Sequence, residues 1–337
     1  MLKEKNIYKK IWNEFKNNNN FLITSHINPD GDAICSQILI ASILRKMNKR
    51  YNIIIEDPFP ERFRFILNDY YEIVIPELIN VPKGVDFLTQ LPENYFPEVI
   101  LIIDSGGTDR LGEFSKYFNK ANKIINIDHH TGDRHFKGTI NLIDTEASST
   151  GEIIYDLMKI NKYKIDKEIA TLIYIAIVTD TRFFTQANTT AKVHKIASYL
   201  IEKGIVPEKI SYQLEEVPPE TLKIFGKVLS RLKSEFEGKL VWSYITENEL
   251  KKCRSRDIDG LVELLRGTTD TKVAILFKEL ERDRIKVSLR GKHNFNVFKI
   301  AYQFGGGGHI QAAGCLIKSN LDKVIKIILD KFKEIIK

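Results

Sequence analysis

The sequence predicts an α/β protein in two parts. The first is an N-terminal domain on a doubly wound, mainly parallel sheet; the second is a smaller C-terminal α/β domain. Three observations carry this. Short apolar runs alternate with helix-length stretches through the N-terminal half, the order that a parallel sheet requires. Val99-Ile-Leu-Ile-Ile103 is apolar at every position, as in a strand covered on both faces. Pro218-Pro219 then breaks a helical region, and strand-type runs resume beyond it.

Taken in order, residues 4–17 have the spacing of an opening amphipathic helix, and Phe21–Ser25 reads as a buried strand. His26-Ile-Asn-Pro-Asp-Gly-Asp32 follows as a turn, then a helix over Ala33–Met47 and a strand over Tyr51–Ile55. Pro58, Pro60, Pro76, Pro82, Pro92 and Pro97 punctuate a looser stretch before Val99–Ile103, which ends at Asp104-Ser-Gly-Gly107. Lys123–Ile127 is the next strand. After Ala147 the pattern turns helical: Ser148-Ser-Thr-Gly-Glu152 has the form of a capped start, with Glu152 three residues after Ser149. A helix from Asp166 carries the apolar run Ile169–Val178 to Thr179-Asp180, and helices follow over Thr189–Lys203 and Pro207–Glu216. Beyond the proline pair, Leu240–Ile245, Lys272–Leu280 and Arg284–Arg290 read as strands, with helices between them and at the end. The domains are therefore set at 1–204 and 219–337, with 205–218 as a helical linker.

A chain of 337 residues with 43% hydrophobic content can bury a core in each domain. A net charge of +7 suits an anionic partner as readily as it suits a solvated surface. Three cysteines, Cys35, Cys253 and Cys315, are odd in number and far apart, which argues against a disulfide framework and fits a reducing cytoplasm. The charged start lacks the apolar core of a signal peptide, and the longest apolar run is about half a membrane span. A cytoplasmic protein without a membrane partner is expected.

The residues that carry chemistry stand where apolar runs end. His26, Asp30 and Asp32 follow the first strand, Asp104 the fully apolar one, Asp128-His129-His130 the next, and Asp180 closes the buried helix. Each has an ordinary use open to it as a turn residue, a helix cap or a packing histidine. Together they ask for one common reason, because carboxylates gathered at one sheet edge repel each other unless cations neutralise them. Mixed Asp/His ligation without cysteine suits Mn²⁺ ahead of Mg²⁺ or Zn²⁺, and the number of acids suggests two ions. Such a pair, about 3.5–4 Å apart, clamps an in-line displacement at phosphorus. Asp104, central in the ligand order, is the natural bridge.

Ser25-His-Ile-Asn-Pro-Asp-Gly-Asp-Ala33, Ile103-Asp-Ser105, Asn126-Ile-Asp-His-His130 and Val178-Thr-Asp-Thr181 resemble, in order, the motifs of the DHH phosphoesterase superfamily. Ser288-Leu-Arg-Gly-Lys292 and Phe304-Gly-Gly-Gly-Gly-His-Ile-Gln-Ala-Ala-Gly314 resemble the DHH-associated C-terminal domain of its nanoRNase and 3′-phosphoadenosine 5′-phosphate phosphatase group. The resemblance covers nearly the whole chain. It implies His26, Asp30 and Asp104 around one Mn²⁺, and Asp32, Asp104, His129 and Asp180 around the other. Asp128 would be a weak ligand or would orient an imidazole, and His130 would contact the scissile phosphate or help protonate the leaving oxygen. Arg290 and His309 would bind the substrate's other phosphate or its base. Independently, the run containing Gly306, Gly307 and Gly308 leaves room for an anion at the backbone, Arg290 offers a fork matched to phosphate, and Lys292 offers a point charge. Cys35, Arg182 and Gln186 depart from the group's pattern, the last two at the edge of the expected site.

The motifs and the resemblance together imply a Mn²⁺-dependent phosphoesterase acting on short RNA or on 3′-phosphoadenosine 5′-phosphate, with its active site expected in the cleft between the two domains. The same motifs leave open an enzyme that cleaves cyclic di-AMP or its linear product. From another class, they leave open a nucleotide-sensing module without catalysis, against which the intact ligand set argues. A homodimer is compatible with all three. A pyrophosphatase or polyphosphatase is disfavoured, because the glycine-histidine loop looks built for a nucleotide.

Overall fold

A computed structural model describes residues 2–55, 59–74, 96–107, 110–112, 117–118, 121–130, 140–252, 258, 260–281, 283–293, 295–308 and 310–336. The chain divides into two compact units, Met1–Glu215 and Glu216–Lys337.

The first unit contains helices α1 (Leu2–Asn17), α2 (Gly31–Lys46), α3 (Arg64–Val74), α4 (Thr150–Ile160), α5 (Lys167–Asp180), α6 (Ala191–Glu202) and α7 (Pro207–Glu215). Its strands are β1 (Asn20–Thr24), β2 (Arg50–Ile54), β3 (Val99–Ile103), β4 (Lys123–Asp128) and β5 (Ile140–Ile143). They form one sheet in the order β2-β1-β3-β4-β5, and every neighbouring pair is parallel. The chain leaves β1 toward one edge and returns from β2 on its other side, so the strand order reverses there. Open α/β sheets bind ligands at such a point, outside the carboxyl ends of the strands. The carboxyl ends of β1, β3 and β4, with the loops after them, therefore deliver His26, Asp104 and Asp128-His129-His130 to one edge.

α2 and α5 pack together beneath this edge, and both are buried along most of their length. Their apolar residues face neighbours on several sides, which is why the run Ile169–Val178 lacks a polar stripe. Two glycines let α2 and α4 approach α5 closely. A Cβ on Gly31 would stand 2.5 Å from Thr179, and one on Gly151 would stand 2.4 Å from the Cβ of Ala176. The helix α4 start differs in detail from a reciprocal capping box. Ser149 accepts the Glu152 N–H at 3.1 Å, but the Glu152 carboxylate turns to the N–H and hydroxyl of Ser148, at 2.8 and 2.7 Å.

The second unit contains helices α8 (Pro219–Ser230), α9 (Glu247–Lys252), α10 (Gly260–Arg266), α11 (Phe298–Gln303) and α12 (Leu321–Lys333). Its strands are β6 (Lys233–Glu235), β7 (Leu240–Ile245), β8 (Val273–Glu281), β9 (Arg284–Gly291), β10 (Gly307–Gly308) and β11 (Ala312–Lys318), in the order β10-β11-β9-β8-β7-β6. Among the described strands, β7 and β8 pair in parallel and the other neighbours are antiparallel. Alternate residues feed two cores: Trp242, Ile275 and Val287 join α11 and α12, whereas Val241, Ala274 and Leu276 join α8 and α10. Helices thus cover both faces of this sheet.

Strands β5 and β11 and helix α3 go beyond the sequence reading. Ile140–Ile143 is short, and Ala312–Lys318 opens on Ala-Ala-Gly, residues of low strand preference that look like the tail of a glycine loop. Cys35 and Cys315 are buried free thiols; Cys253 lies outside the described residues. Among the described residues no helix is long and apolar enough to cross a membrane.

Candidate metal centre

Immediately past β1 lies His26, 4% exposed. Its Nδ1 lies 2.7 Å from the carbonyl of Ile27, so this nitrogen carries the proton and donates, leaving the Nε2 lone pair inward. Nε2 stands 3.7 Å from Asp104 Oδ2 and 3.9 Å from Asp30 Oδ2. Asp30 caps α2, accepting the N–H of Ala33.

Asp104 is bent out of β3 with φ 55°, held by its own N–H, which donates to the Ile127 carbonyl on β4. The Thr150 hydroxyl donates to its Oδ1 at 3.0 Å. His129 Nε2 lies 3.5 Å from that same oxygen, 3.3 Å from Asp180 Oδ2 and 3.9 Å from Asp32 Oδ2. Asp32 is fixed by the N-terminus of α4, where the N–H groups of Thr150 and Gly151 donate to its two oxygens at 2.6 and 2.9 Å, and by the Ser36 hydroxyl at 3.0 Å. Asp180 stands at the opposite kind of helix end, the C-terminus of α5, where the dipole disfavours a carboxylate. The Asn188 amide braces that turn, donating to the carbonyls of Ser148 and Asp180.

Asp128 is fully occupied. Its Oδ2 accepts the Gly106 N–H at 2.9 Å, and its Oδ1 accepts the backbone N–H of His130 at 3.1 Å and the ring Nδ1–H at 2.7 Å. On the other side of the ring, Arg110 Nη1 lies 3.3 Å from His130 Nε2. Gly106 makes room for both, since a Cβ there would stand 2.9 Å from Arg110 Nη1 and 3.3 Å from the His130 ring.

Three groups of donors converge, each within 4.8 Å: His26, Asp30 and Asp104; Asp32, His129 and Asp180; and Asp104, His129 and His130. The imidazole–carboxylate separations of 3.3–3.9 Å are mostly long for hydrogen bonds and leave space for an ion between donors. Asp104 belongs to two of the groups.

The second unit is assembled differently. Arg290, at the end of β9, donates from Nε to Glu263 at 2.5 Å and from Nη1 to its own Leu289 carbonyl at 3.1 Å. Arg266 meets the other oxygen of Glu263 at 2.9 Å, and Lys292 donates to the Thr268 carbonyl at 2.8 Å. In the glycine run, two positions are glycine because β11 passes close: a Cβ on Gly306 would stand 2.2 Å from the Gly314 carbonyl, and one on Gly308 would stand 2.4 Å from that of Ala312. Gly307 alone of the three faces open space. His309 lies outside the described residues.

Two family models match this chain: the DHH family, N-terminal domain, over residues 20–177, and the DHHA1 domain over residues 238–337. The chain belongs to the DHH phosphoesterase superfamily. It is therefore a metal-dependent hydrolase of phosphate esters. A bifunctional oligoribonuclease and PAP phosphatase from Thermus thermophilus is 28% identical over 93% of this chain and 89% of its own. One of the same description from Bacillus subtilis is 28% identical over 92% of each. The crystal structure of an exopolyphosphatase-related protein from Bacteroides fragilis superposes with a TM-score of 0.82 at 25% identity, covering 98% of this chain and 97% of that one.

The electrostatics of this DHH site agree with a demand for cations. Burial, reinforced by Asp32, Asp30, Asp128 and Asp180, pushes the Asp104 carboxyl well above its ordinary range. Burial and then Asp180 push Asp32 up to about 8, and burial with Asp30 and Asp128 raises Asp180. Burial, with Arg110 beside it, lowers His26 to about 4, which keeps its lone pair available. Asp128 goes the other way: burial would raise it, but its contacts with His130 hold it below the usual carboxylate range. Crowded acids that cannot all ionise, beside neutral imidazoles, are a donor set that metal binding would deprotonate. Arg110 and Thr150 escaped the sequence reading. Arg110 is the first basic residue after Asp104, and Thr150 sits inside the helix start read only as a cap.

Proposed function

We propose that this phosphoesterase degrades short oligoribonucleotides to mononucleotides and converts 3′-phosphoadenosine 5′-phosphate to AMP in the cytoplasm, using two Mn²⁺ ions. The observation that carries the proposal is the convergence of the His26–Asp30–Asp104 and Asp32–His129–Asp180 groups, with Asp104 buried against both. Its substrates are inferred from the relatives, which are described as oligoribonucleases and PAP phosphatases across nearly their full length.

His26, Asp30 and Asp104 would hold one ion, and Asp32, Asp104, His129 and Asp180 the other. Bound there, the pair supplies Lewis-acid polarisation of the phosphate and a water of lowered pKa. Thr150 holds one Asp104 oxygen in place, and the α4 N-terminus holds Asp32. Asp128 fixes the ring of His130 with the proton on Nδ1, so Nε2 faces Arg110 as an acceptor. Arg110 thus brings a permanent cation to the scissile phosphate. To protonate the leaving oxygen, His130 must first gain a proton at Nε2. Arg290 and Lys292 are assigned to the substrate's other end.

The decisive experiment is a turnover panel with Mn²⁺ on linear diadenylate, cyclic di-AMP and 3′-phosphoadenosine 5′-phosphate. Linear diadenylate and 3′-phosphoadenosine 5′-phosphate should be consumed faster than the cyclic dinucleotide. A large preference for the cyclic compound would replace this reading with that of a cyclic di-AMP phosphodiesterase. Asp104→Ala should abolish turnover of all three.

A further inference from the structure

The turn that follows Asp180 has an uncommon backbone. Arg182, Phe183 and Phe184 have φ values of 47°, 53° and 62°, three consecutive side-chain-bearing residues in the left-handed region. There the Cβ crowds the following carbonyl, and single residues rather than runs are the rule. The turn is held by many bonds. The Phe183 N–H donates to the Val178 carbonyl at 2.8 Å and the Phe184 N–H to Thr181 Oγ1 at 3.1 Å. The N–H groups of Thr185 and Gln186 both donate to the Thr181 carbonyl, at 2.9 and 3.0 Å, and the Thr185 hydroxyl donates to that of Arg182 at 2.6 Å. A strained conformation that its surroundings over-determine directs attention to what it presents.

The two phenylalanines it presents are not equivalent. Phe184 is anchored: its ring meets Tyr174 edge-on at 6.0 Å and stacks on His194 at 5.2 Å. Phe183 makes no ring contact among the described residues and is 37% exposed. It stands three residues from Asp180, whose Oδ2 is 3.3 Å from His129 Nε2, so its Cα is within about 11 Å of the Asp180 Cα. An exposed flat apolar ring this near a phosphate-handling site, held there at conformational cost, has the properties of a stacking surface.

We propose that Phe183 is the platform on which the nucleobase stacks when its phosphate is held at the metal centre, an inference that rests on the nucleotide reading of that centre. Every base has a π-face, so such a platform accepts any sequence, as the degradation of short RNA requires. A polyphosphate or pyrophosphate would gain nothing from it.

Two measurements with Mn²⁺ present test this on the wild type, Phe183→Leu and Phe183→Trp. Calorimetry compares binding of AMP with that of ribose 5-phosphate, which lacks the base; steady-state kinetics follows diadenylate and a matched dinucleotide lacking one base. The wild type and Phe183→Trp should favour AMP by roughly five- to a hundredfold, the range of a base–aromatic stack. In Phe183→Leu the preference should collapse toward unity, with the loss appearing in KM and not in kcat. An AMP preference unchanged in Phe183→Leu, or absent from the wild type, overturns the platform. Should the leucine variant lose its circular dichroism melt, Phe183→Asn, whose side chain tolerates left-handed backbone, takes its place. A base preference that depends on Phe183, in a protein that turns over neither diadenylate nor 3′-phosphoadenosine 5′-phosphate, would keep the platform and overturn the proposed activity.

Discussion

Asp128 Oδ1 lies 2.7 Å from His130 Nδ1, and this contact sets which face of the imidazole is left for chemistry. A carboxylate can only accept, so the proton sits on Nδ1, and the ring is locked with Nε2 toward Arg110. Asp128→Asn can present an N–H to Nδ1 and thereby reverse the tautomer with little change of shape. The expected result is a fall in kcat of roughly a hundredfold or more, with Mn²⁺ content unchanged, because Asp128 is outside the converging donor groups. Equal kcat, or loss of metal on a par with Asp104→Ala, would show that Asp128 acts otherwise.

Stability should depend on pH in a way that reveals the crowded acids. Asp32 is raised from 3.8 to about 8, so between those values the folded state binds more protons than the unfolded one, and stability falls as pH rises. His26, lowered from 6.5 to about 4, works in the opposite sense, but only below its unfolded value. The window of pH 6.5–8 therefore isolates the carboxylate effect. Across it the metal-free protein should lose on the order of 2 kcal/mol, read as a falling Tm. Saturating Mn²⁺ should flatten or reverse the trend. A metal-free Tm that rises across this window would contradict the raised carboxylates.

Gly151 ties fold to site. Its N–H donates to Asp32, and the absent side chain lets α4 press against Ala176 of α5. Gly151→Ala should overpack this contact by about 1–3 kcal/mol, lowering Tm by several degrees and weakening Mn²⁺ binding together. A variant of unchanged Tm would mean that the helices part without strain.

The sheet and the donor ends were legible because each depends on local pattern. Val99–Ile103 could only be a doubly covered strand, and its parallel neighbours end in acids and imidazoles within a few residues. What remained hidden depends on folding back in space. Arg110 meets His130 across 20 positions of sequence, and Gly106, at φ 66°, leaves room for both side chains. Thr150 reaches Asp104 because the helix cap that the sequence announced is pointed into the cluster. The glycine run carries a packing demand that the sequence did not show: Gly306 and Gly308 admit the passage of β11, which Ala312-Ala-Gly-Cys315 gave little reason to expect as a strand.

Arg290 provides a test of the second unit. Its Nε is committed to Glu263, whose other oxygen meets Arg266, so one carboxylate orients the guanidinium. The remaining donors of such a fork suit a phosphate. Arg290→Ala should raise KM for 3′-phosphoadenosine 5′-phosphate by about ten- to a hundredfold, the worth of a charge-assisted hydrogen bond, and leave kcat within a few-fold. Arg290→Lys should recover little, because an ammonium cannot keep the Nε contact and present a planar edge at once. Glu263→Gln keeps the shape of the support but removes its charge, and should give a smaller rise in KM of the same kind. If Arg290→Ala lowered kcat with KM unchanged, the residue would be stabilising the transition state, and its assignment to the distal end of the substrate would be wrong.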